Sequence, residues 1–190
     1  MTADLVARAA EWVEEVHPHA HHLHRTLDWL LELDPQASEA LRLAAVAHDI
    51  ERAFPAESEP PAGEEGPVSQ AYERWHQDRS AELLAGWLRE QSAPPTLVEE
   101  VSDLVRVHED GGSADADLLQ AADSLSFLEV QVELFVGRVA AGALSRTQAE
   151  RKLERMYERI CVPRARELAE PMLGRGLARL GDAGDQVESR

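Results

Sequence analysis

The chain has 190 residues, which suits one domain, and its hydrophobic content of 44% is enough to build a core. Its formal net charge of −17 argues against extended contact with nucleic acid or with an anionic membrane surface, because both require an excess of basic residues. The apolar runs are short and interrupted by charges, so no membrane span is predicted. With one cysteine, Cys161, and no leader-like N-terminus, we expect a cytoplasmic protein without an intrachain disulfide.

Apolar residues recur at three- and four-residue intervals along almost the whole chain, which is typical of amphipathic helices. The first helix is predicted around residues 5–16, and the second begins near Pro18 and ends before Asp34-Pro35. The third follows an N-cap at Ser38 and ends near His48-Asp49. Further helices are predicted over about 68–91, 95–109, 115–141 and 146–169, with a shorter one after Pro171. We therefore predict an all-α fold in a single domain over residues 1–180.

Two segments lack this helical pattern. Residues 53–67 are acidic and rich in Pro and Gly, and they follow the His48-Asp49 doublet directly. Long loops of this kind act as lids or are disordered, and the sequence leaves both alternatives open. Residues 181–190 have no apolar period and are predicted to be a disordered tail.

Six histidine and aspartate residues occupy the inward-facing stripes of the predicted helices: His22, His48, Asp49, His76, His108 and Asp123. His108, for example, continues the stripe of Val101, Leu104 and Val105. A buried imidazole or carboxylate must find a hydrogen bond, a charge partner or a metal. One such residue alone is most simply a satisfied core residue, but a core with this many of them would be costly without a shared ligand. We therefore predict that these side chains converge on two metal ions.

The order of these residues resembles the dinuclear branch of the HD superfamily of metal-dependent hydrolases. The resemblance covers about residues 19–130 and rests on His22-x-x-Arg25, His48-Asp49 after a small-residue helix, His76 ahead of Ser80-Ala81-Glu82-Leu83, His108, and Asp123 in Ala121-Ala122-Asp123-Ser124-Leu125. It implies an HD-domain-like helical bundle in which one ion is held by His22, His48, Asp49 and Asp123. His76 and His108 would hold the second ion, with Asp49 bridging. His21 is the alternative first ligand, because five histidines crowd residues 17–24.

Imidazole and carboxylate ligands suit divalent Fe, Mn, Co, Ni or Zn. Two such ions bridged by Asp49 would activate a shared water as hydroxide, so the expected reaction is hydrolysis of a small phosphoester, either a nucleotide or a phosphorylated metabolite. Arg25 and Arg52, beside the ligands, are expected to steady the phosphate. Glu109, like Glu51, is expected to orient a ligand or to accept a proton.

Basic residues on a late helix are predicted to bind the anionic substrate: Lys152, Arg155 and Arg159. A solvated helix face paired with neighbouring glutamates explains them equally well. The expected partner is a small anionic molecule, with no nucleic acid polymer and no membrane. Because residues 53–67 are acidic, a substrate with few charges is favoured.

Two other functions compete with hydrolysis. The ligand order is also similar to that of di-iron oxygenases of the same branch, which cleave a C–H or C–P bond with dioxygen. A non-catalytic nucleotide sensor is the third reading, although a sensor has no need for two metals. Cyclic dinucleotides are not proposed as substrates, because the Gly-Tyr-Pro signature of that branch is replaced after His108 by Glu109-Asp110-Gly111-Gly112.

Overall fold

A computed structural model describes residues 4–56 and 70–188, with side chains described up to residue 182. The predicted all-α fold is confirmed, because the described residues form helices and contain no β-strand. The helices are α1 (Leu5–Val16), α2 (Ala20–Leu33), α3 (Glu39–Ala47), a 3-10 turn (Ile50–Ala53), α4 (Gln70–Glu90), α5 (Pro95–Arg106), α6 (Ala114–Ser126), a π-helical segment (Phe127–Gln131), α7 (Val132–Ala140), α8 (Arg146–Glu158) and α9 (Pro163–Glu188).

Several helices begin at a side chain that caps their free backbone N–H groups. Asp4 accepts from the Val6 N–H at 3.0 Å at the start of α1, and Ser38 accepts from the Leu41 N–H at 3.1 Å at the start of α3. Before α8, Ser145 and Gln148 form a reciprocal capping box. These caps fix the helix boundaries close to where the sequence predicts them.

Helix α3 is the centre of the bundle. Seven of its nine residues are buried, and it packs against α1, α2, α5 and α6. A helix that is apolar all round has to be surrounded by protein, and the alanines among these residues let the neighbouring helices approach closely. As a result, the residues that follow α3 emerge inside the bundle rather than at its surface.

The remaining helices pack against one another around this centre. Helix α2 packs along α6, α4 packs along α5, and α9 packs against α6, α7 and α8. The π-helical segment joins α6 to α7 without a break, so the predicted helix over 115–141 is present with one widened turn.

The predicted helix over 146–169 and the shorter helix after Pro171 are wrong in their boundaries. The structure ends α8 at Glu158 and starts α9 at Pro163, because a proline without an N–H fits the first turn of a helix. Pro171 lies inside α9, although its ring removes a backbone hydrogen bond there. Helix α9 continues to Glu188, so residues 181–188 are helical where the sequence suggested a disordered tail.

The start of the acidic segment 53–67 belongs to the 3-10 turn and to an extended stretch up to Ala56. Phe54 packs near Trp12, with ring centroids 6.3 Å apart, and Trp12 stacks on Trp87 at 5.0 Å. The rest of the predicted loop or lid, residues 57–67, lies outside the described residues. Within the described ranges, every helix is too short or too polar to cross a lipid bilayer.

Candidate metal centre

Six buried side chains meet where the central helix α3 ends. His48 follows the last residue of α3, and Asp49 comes next in the chain. The other four are contributed by α2, α4, the turn after α5, and α6: His22, His76, His108 and Asp123. None of the six is more than 9% exposed. The structure thus brings together the ligand set expected from the sequence, and it favours His22 over its exposed neighbour His21 as the first ligand.

Backbone carbonyls fix the orientation of two of the imidazoles. Nδ1 of His48 lies 3.1 Å from the carbonyl oxygen of Ala45, and Nδ1 of His108 lies 2.7 Å from that of Val105. A carbonyl oxygen can only accept a hydrogen bond, so both Nδ1 atoms carry a proton and donate it. In the neutral imidazole, Nε2 is then left with a lone pair that faces the centre.

Side chains hold the Nδ1 atoms of the other two imidazoles, so these rings are oriented in the same way as His48 and His108. His76 donates from Nδ1 to Glu51 Oε1 across 2.6 Å. Nδ1 of His22 lies 2.8 Å from Ser126 Oγ, and the Ser126 hydroxyl donates its own hydrogen to the His22 carbonyl oxygen at 2.8 Å. Ser126 therefore accepts from His22 Nδ1. Hydrogen bonds to the outer ring nitrogen are the usual means by which proteins orient a histidine that ligates a metal.

The first group of ligand atoms comes from His22, His48 and Asp49, which all lie within 4.8 Å of one another. Asp123 adds a second carboxylate, since its Oδ1 is 3.1 Å from His22 Nε2 and 3.4 Å from His48 Nε2. The group combines two imidazole nitrogens with two carboxylates and could hold one metal ion.

The second group consists of Asp49, His76 and His108, whose ligand atoms also lie within 4.8 Å of one another. Asp49 Oδ1 is 2.8 Å from His76 Nε2 and 4.0 Å from His108 Nε2. The same oxygen is 3.8 Å from His48 Nε2 in the first group. Asp49 therefore lies between two groups that could each hold an ion.

The donor atoms fit divalent metals. The Nε2 atoms of His48, His76 and His108 are buried and have no geometrically satisfied hydrogen bond among the described residues. A buried polar atom without a partner is costly, and a metal ion between these nitrogens and the carboxylates would supply that partner. Nitrogen and oxygen donors without thiolate suit Mn, Fe, Co, Ni or Zn.

The charges around the centre keep both aspartates ionised. Burial opposes ionisation of Asp49, but Arg52 and the nearby imidazoles hold its pKa well below the usual range. Burial likewise opposes ionisation of Asp123, and Arg159 and His48 lower its pKa well below the usual range. Both carboxylates are therefore available as anionic ligands at neutral pH.

The pKa values of His76 and His108 are shifted in opposite directions. Burial lowers the pKa of His76, but the Asp49 carboxylate outweighs it and raises this pKa to about 9. In His108, burial and the neighbouring His48 lower the pKa to about 4. At neutral pH the protein without metal therefore holds a proton on His76 that a metal ion would have to displace.

Arg159 connects the centre to Glu109. Its guanidinium forms ion pairs with both Asp123 and Glu109, and its Nε donates to Ser124 Oγ at 2.8 Å. Burial opposes ionisation of Glu109, but Arg159 and Lys152 lower its pKa to about 2. Arg159, expected from the sequence to bind substrate, is thus engaged with Asp123 and with the carboxylate that we expected to take part in catalysis.

Glu109 is held rigidly through its backbone. Gln77 Oε1 accepts from the Glu109 N–H at 3.0 Å, and Gln120 Nε2 donates to the Glu109 carbonyl at 2.7 Å. The chain then turns towards α6 through Gly111, which has a φ of +71°. A β-carbon there would come within 2.6 Å of Asp117 Oδ1, which would have to move, and the positive φ itself favours glycine.

A cavity of about 400 Å³ opens onto the centre. Four of the ligand residues line it, namely His22, Asp49, His76 and Asp123, while His48 and His108 lie behind them. Arg52 lines it too and donates from Nε to Asp49 Oδ2 at 2.9 Å. The ammonium of Lys152 lies 5.5 Å from the centre of the Phe127 ring, on the same wall.

Two of the expected site residues are bound elsewhere. Arg155 donates to Glu73 Oε2 at 2.6 Å, so it reaches the cavity only through Glu73, which lines it. Arg25 lies outside the cavity lining: it donates from Nε and Nη2 to Glu129 and from Nη1 to Asp28. One turn of helix separates Arg25 from His22 along the chain, but Glu129 in the π-helical segment holds it away from the ligand atoms.

The specific role of His17 could not be predicted from the sequence. This buried residue accepts the His19 N–H on its Nδ1 at 3.0 Å, so its Nε2 carries the proton and donates to the Asp49 carbonyl oxygen at 3.1 Å. His17 therefore supports the backbone of the shared aspartate. Ser126 was missed in the same way, since its partner His22 lies 104 positions away.

Comparison with known proteins adds a family but no function. A family model described as a domain of unknown function, DUF4202, matches residues 5–172. No curated protein and no solved structure matches the chain. The matched range contains all six ligand candidates together with Arg159 and the whole cavity wall. Because the match spans most of the sequence, the chain belongs to the DUF4202 family.

Proposed function

We propose that this protein is a metal-dependent phosphohydrolase of the HD type that acts on a small phosphoester and uses two divalent transition metal ions. The observation that carries the proposal is the convergence of four Nδ1-tethered imidazoles on two ionised aspartates at the floor of one cavity. One ion would be held by His22, His48, Asp49 and Asp123. The other would be held by His76 and His108, with Asp49 shared.

Two divalent ions in such a site lower the pKa of bound water and neutralise charge on phosphoryl oxygens. The chain's own residues support this chemistry. Glu51 orients His76 through its Nδ1, and Arg52 holds the outer oxygen of Asp49. Glu109 lines the cavity, and despite its burial the ion pair with Arg159 lowers its pKa to about 2, so it acts there as a fixed negative charge rather than as a base.

Five carboxylates and three cations line the cavity, so two bound divalent ions would make it favourable for an anionic substrate. Lys152 and Arg52 line it near the ligand residues, and the metal ions would add further positive charge. A protein of net charge −17 can therefore present a locally positive pocket. A phosphate group matches both the metal pair and the surrounding cations.

The first test is elemental analysis of protein purified without added metal. The second is an assay of phosphate release from small phosphoesters under anaerobic conditions, with Mn, Co, Ni or Zn added. We expect about two equivalents of metal per chain, and phosphate release that disappears in Asp49→Ala and His76→Ala. His22→Ala should lose activity and His21→Ala should keep it, which makes His21 the matched control on the same helix. Release that is unchanged in Asp49→Ala would overturn the proposal.

The same experiment separates hydrolysis from oxygenation. The donor set also suits iron, so two equivalents of iron, oxygen uptake and no anaerobic phosphate release would assign the centre to an oxygenase instead. Less than one equivalent of metal, with no gain on soaking, would leave the centre without a catalytic role.

A further inference from the structure

Lys152 is the only lysine of the chain, and its ammonium group faces the cavity. It lies 5.5 Å from the centre of the Phe127 ring and forms no direct ion pair or hydrogen bond with a described side chain. Burial lowers the pKa of Lys152, although the Glu109 and Asp123 carboxylates act in the opposite direction. An ammonium that lines a cavity and is not directly paired can bind an anion that enters the cavity.

Arg138 is a second cation that lies near an aromatic ring in the cavity lining. Its guanidinium lies 5.8 Å from the Phe135 ring, and it has no carboxylate partner among the described residues. The other arginines around the cavity, Arg52, Arg155 and Arg159, all pair with carboxylates. Lys152 and Arg138 are therefore the two cations on the cavity wall that form no direct ion pair with a described residue.

The same wall is apolar between these cations. Phe127, Phe135 and Met156 line it, and Leu134 joins them at the edge. Leu134 is 41% exposed and is the only large hydrophobic residue so exposed in the described part of the chain. Apolar surface next to an unpaired cation matches a ligand that has an anionic end and an apolar body.

We propose that the substrate is a phosphomonoester with an aromatic or apolar alcohol portion, whose phosphate is bound by Lys152 beside the metal centre and whose apolar portion packs against Phe127, Leu134 and Phe135. This inference rests on the proposed hydrolysis and specifies its substrate class. A polyol or sugar phosphate would leave its hydroxyl groups without hydrogen bonds against this wall.

The first test compares two phosphomonoesters of similar charge, phenyl phosphate and glycerol 2-phosphate, on the metal-loaded full chain. We expect kcat/KM to favour phenyl phosphate by about tenfold or more, because this is the discrimination that a hydrophobic pocket provides. Leu134→Glu should abolish the preference, while Ala140→Glu, an exposed position on the same helix outside the cavity, should preserve it. Equal rates, or a preference for glycerol 2-phosphate, would overturn the inference.

The second test needs no turnover. An amine-selective acylating reagent can modify only Lys152 and the N-terminus of this chain, and peptide mass mapping separates the two. Phenyl phosphate should protect Lys152 from modification at lower concentrations than glycerol 2-phosphate does. Lys152→Met should raise the dissociation constant for phenyl phosphate by about tenfold or more, whereas Arg151→Met, which removes a charge from the exposed neighbour, should leave it unchanged.

The two tests distinguish failure of the inference from failure of the proposed function. If neither ester is hydrolysed by the metal-loaded protein, hydrolysis is wrong, and protection of Lys152 alone decides whether the cavity binds an apolar phosphate. If phenyl phosphate gives no protection and no difference between Lys152→Met and Arg151→Met, the binding site is absent even if hydrolysis occurs.

Discussion

His17 donates a hydrogen bond from Nε2 to the backbone carbonyl oxygen of Asp49, across 3.1 Å. This bond fixes the chain at the residue shared by the two ligand groups, so a change at His17 should reach the metal centre without touching a ligand atom. We expect His17→Phe to weaken metal binding by about tenfold, within the range found for partners that support metal ligands. Isothermal titration of the metal-free protein measures the effect.

His17→Gln provides the rescue for this prediction, because a glutamine amide can donate to the same carbonyl. His24→Phe is the control, since His24 pairs with Glu14 at the surface. Equal metal affinity in His17→Phe and the wild type would show that the Asp49 backbone needs no support from His17.

Glu51 orients His76 and contacts no other ligand candidate, so its loss should affect one ion more than the other. In Glu51→Gln the charge that strengthens the His76 ligand is removed while the size is kept. We expect the affinity of the second site to fall by about tenfold to a hundredfold, and the metal content to drop towards one equivalent. Elemental analysis after dialysis measures the content, with the exposed Glu32→Gln as control. If Glu51→Gln lost both ions together, the two sites would not bind metal independently of each other.

Arg159 neutralises two buried carboxylates, and its removal should therefore destabilise the fold. Arg159→Met would leave Asp123 and Glu109 without their partner, which is expected to cost about 3–5 kcal/mol of unfolding free energy in the metal-free protein. Metal bound to Asp123 should recover part of this loss. Urea unfolding with and without metal measures both values, with the exposed Arg164→Met as control. A change below about 1 kcal/mol would mean that the pairs contribute little.

The metal-free protein should lose stability as the pH rises from neutral. The pKa of His76 is raised to about 9 in the folded state, so the folded chain holds its proton more tightly than the unfolded chain does. The resulting stabilisation is complete below the unfolded pKa of about 6.5 and disappears as the pH rises through about 9. Thermal unfolding in the presence of a chelator should show this decline, and His76→Gln should remove it. A decline of the same size in His76→Gln would assign it to other groups.

The features that the sequence predicted well are those that depend on periodic burial. His48, His76, His108 and Asp123 each continue an apolar stripe on their own helix, and such stripes can be read locally, whereas His22 is indicated by its spacing to Arg25 in the family resemblance. The crowded histidines were separated only by the structure, in which His22 points inward and His21 is exposed.

The features that the sequence did not predict depend on partners far along the chain. Arg25 was assigned to the site because it follows His22 by one turn, but Glu129, 104 positions away, holds it elsewhere. The support of Asp49 by His17 runs through a backbone carbonyl, which has no sequence signature. The sequence misplaces the boundary between α8 and α9, because Pro171 suggests a helix end, whereas Pro163 starts the helix that contains Pro171.

The π-helical segment after α6 contains one residue more than an α-helical path of the same rise would need. The segment lies between two parts of the site, because Asp123 and Ser126 precede it in α6 and Leu134 and Phe135 follow it in α7. One continuous helical run therefore carries both a ligand of the candidate metal centre and the apolar wall of the cavity. The local winding of this run sets the angle between the two.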